Sequence, residues 1–73
     1  MIIVEQERLR IGKRIAAIRS EKNLSQSDLA KLTGMTPGNI SRIESGRYST
    51  GIDILSRIAD VLGYRLEFEE KRG

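Results

Sequence analysis

Apolar residues recur at helical spacing in four stretches of this chain and at alternate positions in a fifth. In the first stretch Ile11, Ile15 and Ile18 fall one turn apart, with Arg or Lys at 8, 10, 13, 14, 19 and 22 elsewhere, which predicts an amphipathic helix over about residues 5–22. Leu29, Ala30 and Leu32 supply the inward face of a second helix over 25–33, and Ile40 and Ile43 that of a third over 36–45. Ile52, Leu55, Ile58, Ala59 and Leu62 do the same for a fourth over 51–62. After Gly63 the period falls to two. Tyr64, Leu66 and Phe68 alternate with Arg65, Glu67 and Glu69, the pattern of a half-buried β-strand over 64–69.

The boundaries between these stretches carry their own chemistry. Asn23 is the expected left-handed stop of the first helix. Ser25 followed by Asp28 has the form of a capping box opening the second. Gly34 closes it in a left-handed turn, a conformation that strains any residue with a Cβ. Thr36 then caps the third helix, and Pro37 falls at its first position, where the missing N–H is no loss and the fixed φ suits the helix. The third helix ends at Ser45-Gly46. Thr50 and Asp53 repeat the capping-box spacing at the start of the fourth. The second and third helices are therefore joined by a short, sharp turn, and Ala30 must be small because they cross there.

Composition narrows the function classes. Seventy-three residues suffice for one domain, 1–73, with one small core. Cys and His are both absent, which removes the usual zinc ligands, the Cys and Ser-His nucleophile systems and the commonest general base. Asp53, Asp60, Glu67, Glu69 and Glu70 read as capping or solvated groups, with no spacing that suggests a metal or an acid–base pair. The expectation is a protein without enzymatic activity, cofactor or metal. Met1-Ile2-Ile3-Val4 is too short, and too soon followed by charge, for a signal peptide or membrane span, so a cytoplasmic protein is expected. The net charge is +3, unevenly placed: residues 1–47 hold nine Lys/Arg against five Asp/Glu, and residues 48–73 hold four against five. The positive bias travels with the helix–turn–helix stretch, as phosphate contacts would need.

Gln26, Ala30, Gly34, Ile40, Ile43 and Glu44, in the stretch SQSDLAKLTGMTPGNISRIESG, resemble the helix-turn-helix of the phage Cro and lambda-type repressors, the family often called Xre. The resemblance extends roughly from Ile11 to Gly63. It implies an all-α fold, a compact lambda-repressor-like four-helix domain. One departure stands out: such domains commonly continue into a fifth helix, whereas here a short C-terminal β-strand is read. An isolated strand leaves a row of unpaired backbone groups, and the same strand of a second subunit is the simplest partner. A homodimer sealed through Tyr64, Leu66 and Phe68 is therefore expected. Ile2-Ile3-Val4 reads either as another short strand beside it or as apolar residues under the helices.

On a wheel of about 100° per residue, with Ile40 and Ile43 inward, the third helix turns Gly38, Ser41, Arg42 and Ser45 outward and leaves Pro37 at the side. Arg42 is the first choice for base readout, since its planar fork matches O6 and N7 of guanine in the major groove. The resemblance places readers at the first residues of this helix, which here are Thr36, Pro37, Gly38 and Asn39. Pro37 and Gly38 offer only apolar contact or close backbone approach, while Asn39 either pairs with adenine or bonds local backbone groups. Gln26 matches a family residue that bonds a backbone phosphate, and Thr36, Ser41, Ser45, Arg47 and Tyr48 are further phosphate candidates. The resemblance also implies a structural salt bridge between Arg19 and Glu44.

The leading expectation is a sequence-specific transcriptional regulator, most often a repressor in this family, binding double-stranded DNA as a homodimer. Its operator would be an inverted repeat with half-sites about one helical turn apart. One alternative is the antitoxin of a toxin–antitoxin pair, with a cognate toxin protein as partner. The other is a protein-interaction adaptor that kept the fold and lost DNA binding.

Overall fold

Local cap chemistry decides where two helices of this chain begin and where all four end. The computed structural model describes residues 3–72, with four helices: α1 (Val4–Glu21), α2 (Gln26–Thr33), α3 (Pro37–Glu44) and α4 (Ile52–Val61). At α2 the capping box closes in both directions. The Ser25 hydroxyl accepts from the Asp28 amide at 2.9 Å, and the Asp28 carboxylate accepts from the Ser25 amide at 2.9 Å. At α3 the Thr36 hydroxyl accepts from the Asn39 amide, and Pro37 fills the first helical position.

All four helices end alike. Asn23, Gly34, Gly46 and Gly63 have φ of 59°, 71°, 76° and 83°. The next residue's amide then reaches back to a carbonyl five positions earlier: Leu24 to Arg19, Met35 to Ala30, Arg47 to Arg42 and Tyr64 to Ala59. This closure satisfies carbonyls that a helix end otherwise leaves to water.

The Ser25 amide and hydroxyl hold the Asp28 carboxyl below the ordinary aspartate range. A carboxyl depressed in the folded state adds stability that is present above its unfolded pKa and lost as pH falls through its folded one. Stability of the wild type is thus expected to fall on acidification through that window. Asp28→Asn removes this contribution, and its unfolding midpoint should follow pH less steeply there, as urea titrations at a series of acidic pH values would reveal.

The core is built from all four helices. Ile15 and Ile18 enter from α1, Leu29 and Ala30 from α2, Ile40 and Ile43 from α3, and Ile58, with Leu62 just past its end, from α4. Leu29, Ile40, Ile58 and Leu62 are essentially sealed from solvent, and each such side chain contributes roughly 1.5–3 kcal/mol of transfer free energy. α3 packs on α1 and α2, and α4 on α2. The buried, methyl-sized Ala30 fits the close crossing expected of it. Among the described residues no helix is long and apolar enough to cross a membrane.

Four expectations are corrected. Leu32 is 57% exposed, because the buried face of α2 runs through Leu29, Ala30 and Thr33, and Leu32 projects about 100° away from its centre. Ile52 is 72% exposed at the first position of α4. Thr50 and Asp53 form no capping box, since Gly51 occupies the cap position and no side chain bonds there. Residues 64–69 form no strand, and the described residues contain none at all. Strand backbone requires a ladder partner, and the described residues offer that segment none. It runs instead past α1, with the Arg14 guanidinium 5.7 Å from the centre of the Tyr64 ring, while Leu66 is exposed and Phe68 wholly so. Of the apolar N-terminal residues, Ile3 caps α1 and Val4 opens it, so neither extends a sheet; Ile2 lies outside the described residues.

Candidate nucleic-acid interface

With Ile40, Ile43 and Glu44 turned into the domain, α3 presents Pro37, Gly38, Ser41, Arg42 and the flanking Ser45 to solvent. Asn39 is half-buried between the two faces. Arg47 and Tyr48 continue the exposed surface beyond the helix end. The outward set expected of the third helix is thus assembled on one face.

What holds that face is a buried carboxylate. Glu44 accepts from Arg19 Nε at 2.6 Å and from Nη2 at 3.1 Å, a fork of two parallel bonds linking α3 to α1. Arg19 also donates through Nη1 to the Leu24 carbonyl at 2.7 Å. A third donor comes from α2: Gln26 Nε2 bonds Glu44 Oε1 at 3.0 Å. The hydrogen bond with Glu44 raises the pKa of Arg19 further, so the guanidinium keeps its charge. One carboxylate therefore ties together the three helices on which the interface rests.

The Gln26 bond changes what that residue can offer. A carboxylate only accepts, so the amide must turn its nitrogen inward, and its second N–H and its carbonyl remain for a phosphate or its hydration shell. The Gln26 and Ser27 backbone amides have no acceptor within the helix, whereas the adjacent Asp28 carboxylate opposes an incoming anion. At the start of α3, Pro37 has no N–H and Thr36 already holds the Asn39 amide, which leaves the Gly38 amide to face a ligand.

The remaining candidates divide by partner. Ser45 Oγ donates to the Arg42 carbonyl at 3.1 Å, so its hydroxyl is engaged within its own helix end. Ser41, Arg47 and Tyr48 are exposed, and among the described residues their side chains have no hydrogen-bond partner. Among the described residues the Asn39 side chain bonds no local backbone group. Its side-chain carbonyl accepts from Arg42 Nη1 at 3.1 Å, joining the two principal reader candidates to each other.

Residues 15–68 match the helix-turn-helix family model HTH_3. The chain belongs to this family. Among its relatives, the HTH-type transcriptional regulator PuuR of Escherichia coli is 38% identical over 63 residues, which cover 86% of this chain and 34% of that protein. The chain thus spans about a third of that regulator's length. The ImmF control region 10 kDa protein of Bacillus phage phi105 is 41% identical over 59 residues, 75% of this chain and 66% of that protein. Among solved structures, the restriction-modification controller protein C.AhdI of Aeromonas hydrophila superimposes with a TM-score of 0.79 at 24% identity, over 84% of this chain and 88% of that one, a likeness of fold.

Within this helix-turn-helix domain the mount contains parts that the sequence pattern did not single out. Gly12 lies buried in the middle of α1, against the last turn of α3. A Cβ there would meet the carbonyl oxygens of Ile43 and Glu44, the latter at 2.6 Å. Arg8 Nε donates to the Gly46 carbonyl at 3.2 Å, and a Cβ on Gly46 would lie 2.9 Å from the Leu9 Cα. α1 thus grips the C-terminal end of α3 by backbone contact. The available signal was a glycine inside an otherwise regular helical pattern, which costs stability unless close packing demands it.

Proposed function

We propose that this chain is a sequence-specific DNA-binding transcriptional regulator, acting as a repressor with α3 in the major groove. Membership of a helix-turn-helix family supports regulation over enzymatic activity. The observation that carries the reading is the exposed face of α3, held rigidly by the Arg19–Glu44–Gln26 cluster and bearing Arg42 at its centre. Arg42 reads a guanine, while Gln26, Thr36, Ser41, Arg47 and Tyr48 approach phosphates on either side and fix the helix in register. Such a protein acts where the DNA is, in the cytoplasm.

We further propose that it binds as a homodimer on an inverted repeat, with half-sites about one helical turn apart. Large apolar side chains left in water in the last third of the sequence, Ile52, Leu66 and Phe68, support self-association.

The test is selection of bound duplexes from a random DNA library at two salt concentrations. A palindromic motif bound far more tightly than random DNA is expected. Arg47→Ala should weaken binding to all sequences alike and lower the slope of log affinity against log salt by about one unit. Weak binding without sequence preference would instead favour an adaptor that kept the fold.

A further inference from the structure

The hydrogen bond between Asn39 and Arg42 has consequences for which base sequence α3 can read. Resting on the DNA-binding reading above, we propose that these two residues act as one hydrogen-bond-donating unit. It selects guanine opposite Arg42 and, opposite Asn39, a neighbouring base whose major-groove edge offers acceptors and no donor, guanine or thymine.

A carboxamide reads adenine by using both of its ends: the carbonyl accepts from N6 while the amide donates to N7. Here the carbonyl of Asn39 already accepts from Arg42 Nη1 at 3.1 Å. Its second lone pair remains, but a donor approaching it would come up against the guanidinium's positive charge, as would the N6 amino group of adenine. The amide's two N–H bonds are left free to point away from Arg42. The guanidinium, having used one of its five N–H bonds, keeps the rest for O6 and N7 of guanine. The combined edge therefore donates only. Of the other α3 side chains, Pro37 and Gly38 have no polar atom and Glu44 is buried under Arg19, while the exposed Ser41 brings a hydroxyl that donates as readily as it accepts.

Asn39 is on this account also a positioning residue for Arg42. An unsupported arginine on an exposed helix loses several rotatable bonds' worth of freedom when it docks on a base. The Asn39 carbonyl removes part of that cost by holding one corner of the fork beforehand. The scaffold contributes too, because the Asn39 backbone amide is fixed by Thr36 at 3.2 Å.

The experiment is duplex selection with the purified wild type, Arg42→Ala and Asn39→Ala, each first shown by circular dichroism to be folded. The wild type is expected to select guanine at one position of each half-site and guanine or thymine at its neighbour. Arg42→Ala should lose preference for that guanine by on the order of tenfold, and the neighbouring position should shift toward adenine as the freed carbonyl becomes available. Asn39→Ala should weaken preference at both positions. The proposal is overturned if the wild type already selects adenine beside the guanine, or if each substitution alters its own position alone. Unselective binding by the folded wild type would overturn the underlying DNA-reading role itself, an outcome distinct from either.

Discussion

Replacing Glu44 by alanine is expected to remove a large part of this domain's stability. The substitution leaves the Arg19 guanidinium with its single bond to the Leu24 carbonyl, and leaves the Gln26 amide without its inward acceptor. Breaking a buried ion pair from one side costs about 3–5 kcal/mol, because the surviving charge stays desolvated. The side chains of Arg19 and Glu44 are 17% and 7% exposed, so the lower end, about 3 kcal/mol, is the fitting figure. Against a total of roughly 4–11 kcal/mol for a chain of this length, that is a heavy loss. Urea unfolding followed by circular dichroism would measure it. A double variant, Arg19→Met with Glu44→Leu, should lose less than Glu44→Ala, since apolar replacement of both partners leaves no buried charge. A loss below about 1 kcal/mol for Glu44→Ala would mean that the pair behaves as an exposed one.

The second large effect belongs to Gly12, where two contributions oppose each other. Helix propensity alone favours Gly12→Ala by about 1 kcal/mol. The added methyl, however, would enter space held by the Ile43 and Glu44 carbonyls, which are backbone and cannot swing aside as a side chain can. Overpacking of this kind costs about 1–3 kcal/mol and sometimes more, and the unyielding neighbours put this site at the upper end. A net loss of about 2 kcal/mol is expected in thermal or urea unfolding, together with weaker DNA binding as α3 is pushed off its seat. Gly38→Ala is the internal control. Nothing lies within 4 Å of a Cβ built there, so the same substitution on an exposed helix should raise stability by up to about 1 kcal/mol. Equal effects at the two glycines would show that α1 does not grip α3 as described.

The contrast between these sites explains what could be read from the sequence. The starts of α2 and α3 and the left-handed ends at Asn23, Gly34, Gly46 and Gly63 depend on chemistry within a few residues, and that chemistry is written in order along the chain. Thr50 and Asp53 misled because the helix starts one residue later, at a spacing no local rule forbids. Leu32 and Ile52 are apolar but lie off the buried face, a matter of how the helices sit against one another. Period two over residues 64–69 was real, yet a strand is a relation between two segments and one segment cannot supply it. The outward face of α3 was legible from the wheel. The Arg42–Asn39 bond and the turn of Gln26 toward Glu44 were not, because each depends on a choice among side-chain partners that spacing alone does not make.

Gly38 carries a final consequence. It stands on the leading turn of the helix that faces outward, with open space where a side chain would go and no strained backbone to defend. At most reading positions a new side chain must be reconciled with neighbours, so a change of preference is filtered first by whether the protein still folds. Here that filter is open. Any residue arriving at this codon meets only water and whatever the helix is pressed against, and most would make the helix firmer. On the proposed docking of α3, duplicated copies of such a gene can drift to different targets through one position while their cores stay identical.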